Sequence, residues 1–164
     1  MEQNDEAIAK IRELISGIDY CMLTTVNDDG RLHSRPMATM DAGEFSGELW
    51  FFTSASSHKV FEIKRDNQVN LNYADPKHQT YVSLSGSAEL VRDKQEIKSR
   101  WKPALRAWFP EGADDPDTAL LRVQVTGAEY WDSSSSFIAH AIGLAGSLLR
   151  GKPFRPGDHQ AIEV

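Results

Sequence analysis

The residues best suited to chemistry lie between Phe51 and Lys59, in the run FFTSASSHK. Strand formers give way there to hydroxyl side chains, and these give way to a helical pattern carrying Val60, Phe61 and Ile63. A helix start exposes unpaired N–H groups and partial positive charge. His58 and Lys59 fall in that first turn, where a cation costs about 0.3–1 kcal/mol. A bound phosphate would reverse the sign, with Thr53 and Ser57 as added hydroxyls. A helix capped by Ser56 or Ser57 beside a solvated lysine accounts for the same residues, and spacing leaves both readings open. The second stretch is His33-Ser34-Arg35-Pro36-Met37. A guanidinium can grip phosphate through two parallel hydrogen bonds. Met37 offers soft apolar surface, and Pro36 withholds a backbone N–H from a partner strand. Taken alone, Arg35 also reads as an exposed arginine on an edge strand.

Trp131 follows Glu129-Tyr130 and precedes a serine run, so it stands at a strand end where it could wall a flat ligand. Core packing suits each of Trp50, Trp101, Trp108 and Trp131 as well. Other chemistries lack their spacing. His33, His58, His78, His140 and His159 form no HExxH pattern, so no metal site is expected. There is no GxSxG elbow. Cys21, the one cysteine, sits among strand formers as a small buried hydrophobe. No catalytic acid or base stands out. Lys98, Arg100, Lys102 and Arg106 interleave with Trp101 and Trp108 but read as a solvated helix face. The whole chain carries 18 basic and 24 acidic residues, a net charge of −6. That balance opposes nucleic acid and a polybasic membrane surface as partners.

The elements that must position these residues follow from periodicity. Ile8, Ile11, Leu14 and Ile15 give a helix over 5–16, capped by Asn4 or Asp5. A strand over 20–26 meets the turn Asn27-Asp28-Asp29-Gly30, and a return strand covers 31–40. A strand over 48–53, the helix after Ser57, and strands near 69–75 and 80–91 follow. Val82, Leu84, Gly86, Ala88 and Leu90 share one face, and Gly86 marks a bend or a close backbone approach. A helix over 93–101 and a strand through Leu121, Val123 and Val125 to Trp131 complete the pattern. A short helix near 137–149 and an irregular end are expected beyond it. The 164 residues suit one domain, 1–164, with a barrel over about 18–132 and a C-terminal helix and tail over 137–164. Antiparallel hairpins without βαβ rhythm give a mostly β fold with added helices, a six-stranded antiparallel split β-barrel. The polar start MEQNDEAIAK has no apolar signal core, and no run reaches the ~17–20 apolar residues of a membrane span, so a cytoplasmic chain is expected.

The ordered set of a hairpin with Arg-Pro-Met, an aromatic strand ending Phe-Thr, the Ser-Ser-His-Lys helix start, the Gly-interrupted strand and a late Glu-Tyr-Trp resembles the pyridoxamine 5′-phosphate oxidase-like superfamily. More narrowly it resembles that superfamily's bacterial general stress proteins, and this chain's final residues, GKPFRPGDHQAIEV, are similar to the tail of that subfamily. The resemblance implies FMN at the interface of a homodimer. It implies that Arg35 and Lys59 hold the FMN phosphate, with Ser57 and Thr53 bonding nearby and His58 where the oxidases have arginine. Pro36 and Met37 would line the isoalloxazine ring, with Phe52 beside it and Trp131 near it. It implies a flavin-dependent oxidoreductase acting on a small molecule, or a flavin-binding stress protein or sensor without turnover. The oxidases follow their Trp with an Arg-Leu-His-rich stretch for substrate, whereas this chain reads Asp132-Ser-Ser-Ser-Ser-Phe137. That difference removes the second phosphate clamp of a pyridoxamine phosphate oxidase.

Overall fold

The computed structural model describes residues 2–132 and 158–163, with side chains from residue 5 to residue 132. The chain runs α1 (Glu2–Ile15), β1 (Tyr20–Val26), β2 (Leu32–Ala38), β3 (Glu48–Ser54), α2 (His58–Arg65), β4 (Gln68–Asp75), β5 (Thr80–Val91), α3 (Lys94–Arg100), β6 (Thr118–Asp132) and β7 (Asp158–Glu163). Short 3-10 turns cover Ala42–Glu44 and Pro103–Ala107. Asn4 and Asp5 lie inside α1, so neither caps it; the helix simply begins earlier than its apolar stripe. The expected helix near 137–149 lies outside the described residues. The irregular end does not hold, because residues 158–163 form a strand on β6.

Every pairing is antiparallel, in the order β2-β1-β4-β5-β6-β3, with β7 added beside β6. The six-stranded path is the expected split barrel. β6 is long enough to serve two neighbours on one side. Its first half pairs β3 from Thr118 to Gln124, and its second half pairs β7 from Gly127 to Asp132. The path curls until the chain just past β2 touches β3 through one isolated bridge, Met40 to Trp50. β2 ends sooner than its sequence pattern, at Ala38, and lies at the end of the path. Pro36 therefore costs no ladder bond on its open side.

Alternation fills the barrel. Leu23, Leu71, Tyr73, Val82, Leu84, Leu121 and Val123 point inward and are buried, and Ile11 and Ile15 of α1 join them. Gly86 sits at a register shift between β5 and β6. A Cβ there would collide with the Gln124 carbonyl oxygen, so only glycine permits this approach. Gly30, at φ 81°, supplies the left-handed corner of the β1–β2 turn. A second apolar cluster lies outside the barrel wall. Phe52, Leu120 and Met40 meet Ile97 of α3 and the partly buried Trp101, Leu105 and Phe109. Among the described residues, no helix is long and apolar enough to cross a membrane.

Candidate functional site

The hydroxyl run after β3 divides into two functions. Asp117, just before β6, accepts the Ser56 N–H at 2.8 Å and the Ser54 and Ser56 hydroxyls. It thereby pins the loop to the strand that β3 already pairs with. Those hydrogen bonds, led by Ser54, hold the Asp117 carboxyl below its ordinary range. Ser57 occupies the N-cap position of α2 but makes no side-chain capping bond. Its Oγ instead lies 3.2 Å from Lys59 Nζ and 3.4 Å from Thr53 Oγ1. Lys59 Nζ also donates to Thr53 Oγ1 at 3.2 Å. The capped-helix account of this run therefore fails at its cap. The serine faces a lysine, and the start of α2 carries no acidic residue in its first turn.

Lys59 is half-buried. Among the described residues, no carboxylate oxygen lies within 4.0 Å of its ammonium. Burial, and then the nearby Arg35 charge, lower its pKa, with Glu62 opposing them. Lys59 is thus a cation in a place that discourages cations, held by hydroxyls that any anion could share.

Arg35 does not project freely. Its side chain is half-buried, with Nη1 donating to Thr25 Oγ1 at 2.6 Å and Nη2 to Glu62 Oε2 at 2.7 Å. His33 Nδ1 lies 3.0 Å from the same Nη2. Glu62 and Thr25 were not among the expected site residues. Glu62 sits on the buried face of α2 with Val60 and Ile63. Burial raises its pKa, but the hydrogen bonds from Thr25 and Arg35 and the charges of Arg35 and His58 outweigh this and lower it overall. The signal was present in the sequence: a glutamate interrupting an apolar helical face, one turn from both His58 and Lys59.

Pro36, Met37 and Phe52 come together. They line an apolar cavity of about 170 Å³ with Tyr20, Met40 and, from the segment after α3, Leu105, Trp108 and Phe109. Phe52 is fixed by edge-on contact with Trp101, ring centroids 5.5 Å apart, and by Phe109 at 6.0 Å. Trp108 is 64% exposed at the rim. The aromatic wall supplied by residues 105–109 was not foreseen, because prolines obscured any element there. His58 stands at the start of α2 with its ring exposed and Nδ1 3.8 Å from Glu62 Oε1.

Trp131 is not brought to this group within the chain. It pairs with Tyr81 on one side and His159 on the other. Tyr81 pairs in turn with Ala74 of β4, and on the neighbouring strand β1 Tyr20 pairs with Ala38 of β2. On the sheet's outer face Tyr20, Met22, Tyr81 and Trp131 are exposed.

A small curled antiparallel sheet closed into a half-barrel, with helices packed on it, defines the class of split β-barrel proteins. Residues 6–154 match the family model described as pyridoxamine 5′-phosphate oxidase like, and the chain belongs to that family. A structure assigned to the general stress family from Xanthomonas campestris pv. campestris is 30% identical, with a TM-score of 0.68, over 81% of this chain and 91% of the other. The general stress FMN/FAD binding protein of Xanthomonas citri is 29% identical, with a TM-score of 0.69, over 81% and 93% of the two chains. Protein bli-3 of Neurospora crassa is 28% identical over 91% of this chain and 76% of its own length.

Proposed function

We propose that this protein binds FMN between two copies of the chain and acts as a general stress flavoprotein, a flavin-dependent oxidoreductase for a small molecule. The observation that carries the reading is Ser57, turned from its capping role to share Lys59 with Thr53. A phosphate monoester would complete that arrangement, with Arg35 adjacent. Pro36, Met37 and Phe52, in the neighbouring cavity, are apolar enough to seat a flat ring. The donor set thus suits a ligand with a dianionic end and an aromatic end. Bound FMN would supply hydride or electron transfer. The chain's own groups would bind the phosphate, orient the ring and exclude water from its apolar side. The similar Xanthomonas citri protein is an FMN/FAD binding protein, which supports the same choice.

The second copy is supported by the outer sheet face. Tyr20, Met22, Tyr81 and Trp131 are each at least 41% exposed there, and exposed apolar groups gathered on one face mark an interaction surface. A partner on that face would give Trp131 a route to the other copy's ring.

The test is the visible spectrum of the purified protein, with chromatography of what heating releases. FMN in the supernatant supports the reading. A colourless protein that takes up no added FMN refutes it. Turnover with NAD(P)H and an acceptor then separates an oxidoreductase from a flavin carrier.

A further inference from the structure

Glu62 is the feature of this site that the cofactor reading does not use. Its side chain is 1% exposed, in a helix face otherwise built from Val60 and Ile63. A carboxylate is rarely left so deep without a reason, and a leucine would continue the face. Four groups converge on it. Thr25 Oγ1 donates to Oε2 at 2.6 Å and Arg35 Nη2 donates to the same oxygen at 2.7 Å. His33 Nδ1 and His58 Nδ1 lie 3.6 and 3.8 Å from Oε1. Thr25 is itself fully buried and accepts from Arg35 Nη1 at 2.6 Å. Glu62 therefore holds both terminal nitrogens of Arg35, one directly and one through a hydroxyl.

Lys59 is left out of this arrangement. It stands three residues before Glu62 on α2, a spacing at which lysine and glutamate commonly pair. The carboxylate turns to the arginine on β2 instead, and Lys59 keeps only hydroxyls. A carboxylate serving only to lower the local charge would have no reason to choose between the two cations. A carboxylate serving to aim one of them would choose the arginine, whose planar fork must be oriented to grip an anion through two parallel hydrogen bonds, whereas an ammonium acts as a point charge.

We propose that Glu62 is the positioning residue of the anion site, fixing the Arg35 guanidinium directly and through Thr25, and that it sets the preference for a flavin bearing a phosphate monoester over the same flavin without one. This rests on the FMN reading above. Glu62 touches no ligand in this scheme. It removes the orientation cost that Arg35 would otherwise meet on binding, so its effect falls on the phosphate end alone.

The experiment measures dissociation constants for FMN and for riboflavin by flavin fluorescence, on the full chain and on Glu62→Ala, Glu62→Gln and Thr25→Val. The ratio of the two constants reports the phosphate end, and riboflavin affinity reports an intact ring site. Glu62→Ala should lower the preference for FMN about tenfold with riboflavin binding unchanged. Glu62→Gln keeps an oxygen acceptor for Arg35 and should restore the ratio to within about threefold of the natural chain. Thr25→Val, which removes only the bridging hydroxyl, should lower it by roughly threefold. A preference that rises in both Glu62 variants overturns the proposal, because it makes Glu62 a charge-lowering group. So does an unchanged ratio in Thr25→Val, which decides the matter if Glu62→Ala does not fold. A natural chain that binds neither flavin overturns the FMN reading itself, whereas one that prefers FMN with every variant unaltered overturns the role of Glu62 alone.

Discussion

Replacing Lys59 by methionine separates binding from folding, because the two effects are of different size. Methionine keeps most of the side chain's length and apolar stem. The variant loses two hydrogen bonds, to Thr53 and Ser57, each 3.2 Å long and each worth about 1 kcal/mol net. It also loses the burial of an ammonium and its repulsion by Arg35, the causes that lower the Lys59 pKa. These contributions oppose each other, so unfolding by urea should shift by no more than about 1 kcal/mol in either direction. FMN binding has no such offset. Loss of a charge-assisted contact to a phosphate should weaken it by about 1.5–3 kcal/mol, roughly 10–150-fold, in fluorescence titration. The pH dependence adds a second check on the ligand-free protein. With the folded pKa below 10.5, the unfolded chain binds the extra proton between that pKa and 10.5, so stability rises with pH across this window. The rise should vanish in Lys59→Met. A variant that is destabilised by more than about 2 kcal/mol while FMN affinity holds would make Lys59 a structural residue and refute the reasoning.

Four further outcomes follow from particular contacts. Gly86→Ala drives a Cβ into the Gln124 carbonyl and should cost at least about 2 kcal/mol in chemical denaturation. Glu62 has a folded pKa below its ordinary 4.5, so its contribution is present above pH 4.5 and lost as pH falls through the folded value; an acid titration of stability should be shallower in Glu62→Gln. Met22→Lys with Tyr81→Lys places charge on the outer sheet face and should shift sedimentation toward a single copy. The Cys21 thiol is buried, and that burial pushes its pKa up to about 11. It should therefore resist a disulfide reagent at pH 8 until urea unfolds the chain.

The barrel was legible wherever one face of a strand is buried, since alternation then writes itself into the sequence. The β5 set from Val82 to Ala88 and the Asn27–Gly30 turn behave as their residues indicate. β2 is harder to bound because it is an edge, with Met37 its one buried residue. β7 is not legible because it attaches to a long neighbour across 25 intervening residues, and a short polar strand carries little pattern. The site was legible as a set of positions but not as a set of bonds. Arg35 and Lys59 are visible as cations, yet nothing local says that one is gripped by Glu62 and the other left to hydroxyls. Glu62 lies 27 residues from Arg35, while Thr53 and Ser57 lie 6 and 2 residues from Lys59, and the packing of α2 against β1, which pairs with β2, joins the distant pair.

The single bridge between Met40 and Trp50 makes the two ends of the strand path meet along an almost unlaced seam. Arg35, Pro36 and Met37 border that seam on one side, and Phe52 and Thr53 border it on the other. A ligand gripping both borders would do what a hydrogen-bond ladder does elsewhere in the sheet. Occupancy and closure of the barrel would then be one cooperative event, with the ligand as the missing stitch.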